Sequence, residues 1–77
     1  MQAQEVRQMV EAKLGDRATE EQPHEGLEWE LEEPNGRTLS LRWLPSKPDL
    51  LVLNDPASPV IGEVEDVLAE ALKRVSV

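Results

Sequence analysis

Cysteine, tyrosine and phenylalanine are absent from this 77-residue chain, and Trp29, Trp43 and His24 are its only aromatic rings. Without cysteine there is neither a disulfide framework nor a thiolate metal site. A metal centre would have to combine the single imidazole of "EEQPHEG" with Glu20, Glu21 and Glu25, a set that defines no coordination geometry. His24 therefore reads as a solvated loop residue, and no metal or cofactor is expected. Ser40, Ser46, Ser58 and Ser76 share that one histidine and sit in no nucleophile-elbow motif. The four glycines, at 15, 26, 36 and 62, are isolated and build no phosphate loop. A small enzyme is thus the third and least supported of the functional readings.

Long apolar runs are missing as well. The longest, "LLVL" at 50–53, is strand-sized and far below the ~20 residues that span a bilayer. "MQAQEVRQMV" lacks the basic region followed by an apolar one that marks a secretory signal. The expectation is a cytoplasmic protein with no membrane partner.

Acid is what the chain has in excess: 16 Asp and Glu against 8 Lys and Arg, a net charge of −8. Such a chain is repelled by nucleic acid and by anionic lipid, so no direct nucleic-acid binding is expected and any charged partner should be basic. The same charge also serves solubility. Residues 20–33 hold Glu20, Glu21, Glu25, Glu28, Glu30, Glu32 and Glu33 and no Lys or Arg, so nearly all the net charge is concentrated there.

Hydrophobic spacing divides the chain into elements. Ala3, Val6, Met9, Val10 and Leu14 recur at helical intervals and predict a helix over 3–14, stopped by Gly15. Residues 16–26, with Pro23 and Gly26, read as a polar connection with room for one helical turn at Thr19 to Gln22. Leu27, Trp29 and Leu31 then alternate with glutamates, and Leu39, Leu41 and Trp43 alternate with Thr38, Ser40 and Arg42. This is the pattern of two half-buried strands. "LPSKPD" must be a loop, "LLVL" a third strand, and "SPVIGEVEDVLAEALKRVSV" a second helix with Ser58 as N-cap and Pro59 at its first position. Acidic residues early in that helix and Lys73 and Arg74 late match its dipole. Gly62 is out of place inside it and signals either close packing or a later start.

Register selects the turn of the hairpin. Residues directly opposite in an antiparallel pair share a face. A two-residue Asn35-Gly36 turn would set Leu31 against Ser40 and Trp29 against Arg42, a slip that sends the two apolar rows to opposite faces. A three-residue Pro34-Asn35-Gly36 turn with a bulge at Gly36 instead pairs Leu31 with Leu39, Trp29 with Leu41, Glu28 with Arg42, Leu27 with Trp43 and Glu33 with Arg37.

These elements predict one small α+β domain over 1–77, in the order α-β-β-β-α. Its two layers are a three-stranded antiparallel sheet (27–33, 38–44, 50–53) and helices 3–14 and 59–75 packed on the Leu/Trp face. Trp29 and Trp43 fill the core or, alternatively, anchor an interface. The Glu28, Glu30 and Glu32 row, ~7 Å between successive side chains, is the solvated face of a strand or a surface for a basic partner. One side of 50–53 must face away from the tryptophans, which makes Leu44, Leu50, Leu51, Val52 and Leu53 candidates for apolar contact. The order helix, antiparallel hairpin and strand, helix resembles pieces of the small acidic dimeric chaperones such as those of type III secretion. No motif carries the likeness, and it implies only a dimer. The leading expectation is a non-enzymatic protein-interaction or regulatory module, homodimeric, with an acidic face for a basic protein. The alternative is an acidic nucleic-acid mimic that inhibits a DNA- or RNA-binding protein.

Overall fold

The computed structural model describes residues 1–76. Helix α1 spans Ala3–Leu14 and is followed by one 3-10 turn, Gly15–Arg17. Five strands follow, β1 (Ala18–Glu21), β2 (Leu27–Glu32), β3 (Thr38–Trp43), β4 (Leu50–Asn54) and β5 (Val60–Glu63), and then α2 (Val64–Val75). Each strand pairs antiparallel with the next along the chain, giving one sheet in the order β1-β2-β3-β4-β5. The fold is α+β as expected, with five strands where three were read.

In α1, Val6, Val10 and Leu14 lie four residues apart and are buried together, as the helical period requires. The Gln2 amide donates to Glu5 Oε1 at 3.2 Å and ties down the first turn. In the hairpin, Leu27 pairs with Trp43, Glu28 with Arg42, Trp29 with Leu41 and Leu31 with Leu39. The turn is the three-residue one. The Glu33 amide donates to the Arg37 carbonyl at 2.8 Å, and the Gly36 amide to the Glu33 carbonyl at 2.9 Å. Gly36 takes φ +88°, the left-handed corner of a bulged turn.

Two segments correct the sequence reading. Residues 18–21, read as part of a polar connection with room for a helical turn, form β1. Ala18 and Glu20 pair with Leu31 and Trp29 and so lie on the helix side; Thr19 and Glu21 lie on the other. Ala18 is too small, and Glu20 too polar, to register as an apolar alternation. Glu20 leaves the apolar layer by pairing with Arg7 of α1 at 3.2 Å. The second helix starts at Val64, not at 59, and neither Ser58 nor Pro59 caps it. Val60 and Ile61 are β-branched and favour a strand. Pairing with β4 places Val60 opposite Leu53 and Gly62 opposite Leu51.

One core joins the layers. Val6, Leu41, Leu51, Leu53, Val67 and Ala71 are completely buried within it, and both tryptophans are buried. The Trp43 indole N–H donates to the Pro48 carbonyl at 2.9 Å, so the ring's single polar atom is satisfied inside. Core filling, rather than an exposed anchor, is the place of both rings. Among the described residues no helix is long and apolar enough to cross a membrane.

Candidate functional site

Both helices pack on the face that carries Trp29, Leu41 and Leu53. The alternation of strand side chains sends every second residue to the other face, and no element among the described residues covers it. That open face has two unlike halves.

The first half, on β1 and β2, is acidic. Glu21 lies directly opposite Glu28, and Glu30 and Glu32 continue the row along β2. Like charges placed directly opposite destabilise a strand pair. Arg42 on β3 partly offsets this, with its guanidinium 3.9 Å from Glu28. Glu30 and Glu32 are exposed and make no ion pair among the described residues. Arg37, read as a partner for the Glu33 side chain, turns away and approaches Asp55 at 3.6 Å.

The second half, on β4 and β5, is apolar. The register sets Val52 between Arg42 and Ile61, and Leu50 beside Glu63. Leu44, just past β3, joins them around a hollow of about 140 Å³, which Arg42 and Lys47 also line. Ile61 is 68 % exposed, an unusual state for a large β-branched side chain inside a strand.

The sequence-derived candidates thus separate cleanly. Glu28, Glu30, Glu32, Leu44, Leu50 and Val52 share the open face. Leu51 and Leu53 do not: both are 0 % exposed in the core and leave the candidate surface. "LLVL" is apolar at every position, so its phase is set only by pairing with β3. Two surface residues escaped the sequence reading. Ile61 falls inside the second helix that the sequence predicts, and Glu21 inside the predicted polar connection. Gly62, awkward in a helix, was the available hint for the first; nothing local pointed to the second.

The strongest electrostatic cluster lies elsewhere and is structural. Asp55, in the β4–β5 connection, accepts the Ala57 amide at 2.9 Å, and Arg74 of α2 at 2.8 Å. Arg74 also donates to Glu70 at 2.8 Å and to the Ser58 carbonyl at 2.6 Å. The cluster clamps the loop to the helix. The Ala57 amide, and then Arg74 and Arg37, hold the Asp55 carboxyl below its ordinary value. The Arg74 hydrogen bond does the same for Glu70. Carboxylates held this way stay ionised and are poor general acids near neutral pH. His24 is exposed on its loop, and among the described residues no group of three or more His, Cys, Asp or Glu side chains is placed to hold a metal ion.

No protein-family model, curated protein or solved structure matches this chain.

Proposed function

We propose that this protein is a non-catalytic interaction module whose open sheet face binds a basic, amphipathic segment of another protein. One observation carries the reading: four carboxylates (Glu21, Glu28, Glu30, Glu32) and four apolar side chains (Leu44, Leu50, Val52, Ile61) share a single uncovered face, in two adjacent blocks. Apolar contact there supplies affinity, since burying apolar area is favourable by about 25 cal/mol per Å². The acidic block selects cationic partners and speeds their encounter. The apolar block also favours this reading over the nucleic-acid mimic. A mimic of the phosphate backbone has no use for an exposed isoleucine and valine beside its charges.

Affinity capture from the native cell tests the proposal with three baits: the unaltered chain, Glu28→Lys/Glu30→Lys/Glu32→Lys, and Val52→Asp. A basic protein retained by the first bait and lost by both variants is the expected result. Capture that survives both variants, or that is unaffected by high salt and by charge reversal together, overturns it. A partner lost on charge reversal but indifferent to Val52→Asp supports the mimic instead.

A further inference from the structure

We infer that β5 is a dimerisation edge, where a second copy of this chain adds its own β5 antiparallel about a two-fold axis at Ile61. The two edges of the sheet are built differently. At β1 the free edge carries Glu20 and Glu21, and charged side chains are a usual guard against strand addition. At β5 the first three residues are Val60, Ile61 and Gly62, with Ile61 68 % exposed, so this edge has an apolar side chain and no charge until Glu63.

Symmetry and face pattern require the two-fold axis to pass through a residue of β5, and burial of the exposed Ile61 against its own copy selects that residue. Residues directly opposite share a face, so an axis through Ile61 sets Ile61 against its own copy on the open face. Val60 then falls opposite Gly62 of the second copy on the helix side, a large residue against the smallest. Glu63 falls opposite Pro59, and no two carboxylates meet. The apolar blocks of the two open faces merge at the centre of a ten-stranded sheet.

Charge favours this arrangement over the others available to a chain of net charge −8. It separates the two β2 strands by seven strand spacings, about 34 Å at ~4.8 Å each. That is several times the Debye length of about 8 Å at physiological ionic strength. Pairing through β1 would instead bring Glu20 and Glu21 of both copies within one strand spacing. Stacking the open faces with like strands over each other would place the acidic rows face to face.

The inference is independent of the basic partner, because the purified chain alone tests it. The expected result by light scattering is twice the chain mass, falling to the single mass for Ile61→Lys, which sets two ammonium groups at the axis. An exposed Ile61 leaves the fold of one copy intact, checked by tryptophan fluorescence. Because the chain has no cysteine, Ile61→Cys gives a position-specific readout. Cα atoms opposite each other in an antiparallel pair lie about 4.5–5.5 Å apart, within disulfide reach. Oxidised glutathione should therefore link Ile61→Cys into covalent dimers, while Glu30→Cys stays unlinked. A chain monomeric at every concentration overturns the inference. So does a dimer that persists in Ile61→Lys, or one in which Glu30→Cys links and Ile61→Cys does not.

Discussion

Replacing Gly26 by alanine should be among the most damaging single-atom additions in the chain. Gly26 leads into β2 with φ +75°, and a Cβ built there would collide with the Trp43 carbonyl oxygen and lie 3.2 Å from the Trp43 carbonyl carbon. Both obstacles are backbone, and they sit where Leu27 pairs with Trp43 at the open end of the hairpin. Neither can swing aside as a side chain would. The left-handed conformation alone costs an L-residue about 1–2 kcal/mol. Separating the two backbones raises the total to about 2–4 kcal/mol, against about 4–12 kcal/mol available to a domain of this size. The corresponding fall in Tm is about 8–30 °C. Two other glycines divide the effect into its parts. Gly36→Ala has the left-handed backbone (φ +88°) with nothing within 4 Å of the added carbon, so it isolates the conformational cost of about 1 kcal/mol. At Gly62 a Cβ would meet only the Val67 Cγ2, at an ordinary 3.6 Å, and Gly62→Ala should change stability by no more than about 1 kcal/mol. Urea unfolding followed by tryptophan fluorescence measures all three. If Gly26→Ala proves no more destabilised than Gly36→Ala, the close approach of Gly26 to Trp43 is wrong.

Other outcomes follow from the same structure. Leu53→Ala, fully buried, should lose about 2–5 kcal/mol, whereas Val52→Ala on the open face should lose under about 1 kcal/mol; equal losses in chemical denaturation would mean that the phase of β4 is reversed. Deleting Pro34 leaves a two-residue Asn35-Gly36 turn, and the resulting one-residue slip should abolish cooperative unfolding; a Tm within a few degrees of the parent would contradict the bulged register. Asp55 and Glu70 both have carboxyls lowered from the ordinary values of 3.8 and 4.5, so the unfolded chain takes up protons at higher pH than the folded one. Their contribution is complete above those ordinary values and is lost as the pH falls through the lower folded ones. Tm should therefore decline in acid below about pH 4.5, less steeply in Asp55→Asn, and an unchanged acid profile in that variant would remove Asp55 from the account.

How much of this was legible before the structure depended on whether a segment's pattern had a competing interpretation. The hairpin had none. Two rows of alternating leucine and tryptophan admit one shared face, and that requirement overrode the familiar Asn-Gly turn. Helix α1 was equally plain from its stripe and terminal glycine. β1 was hidden because its role depends on backbone pairing with β2, a non-local interaction, while its side chains offer the core only Ala18. β5 was hidden for a different reason. Val60, Ile61 and Val64 fall at spacings that suit the start of a helix as well as a strand followed by one. The candidate surface followed the same logic: the Glu28–Glu32 row was readable from alternation, Leu50 and Val52 only once Arg42 was known to pair with Val52. Ile61 became visible only when the helix began four residues after the first β5 residue rather than before it.

The two-block face is the centre of this account, and an amide chemical-shift map tests it most directly. The isotope-labelled chain would be titrated with a helical peptide bearing lysines on one side and leucines on the other, beside a control with the leucines replaced by glutamine. Binding across both blocks requires shifts at Glu28, Glu30, Glu32, Val52 and Ile61 with the first peptide, and weaker binding confined to the glutamates with the control. Equal affinity for both peptides, or shifts centred on the solvent side of α1 and α2, would contradict it.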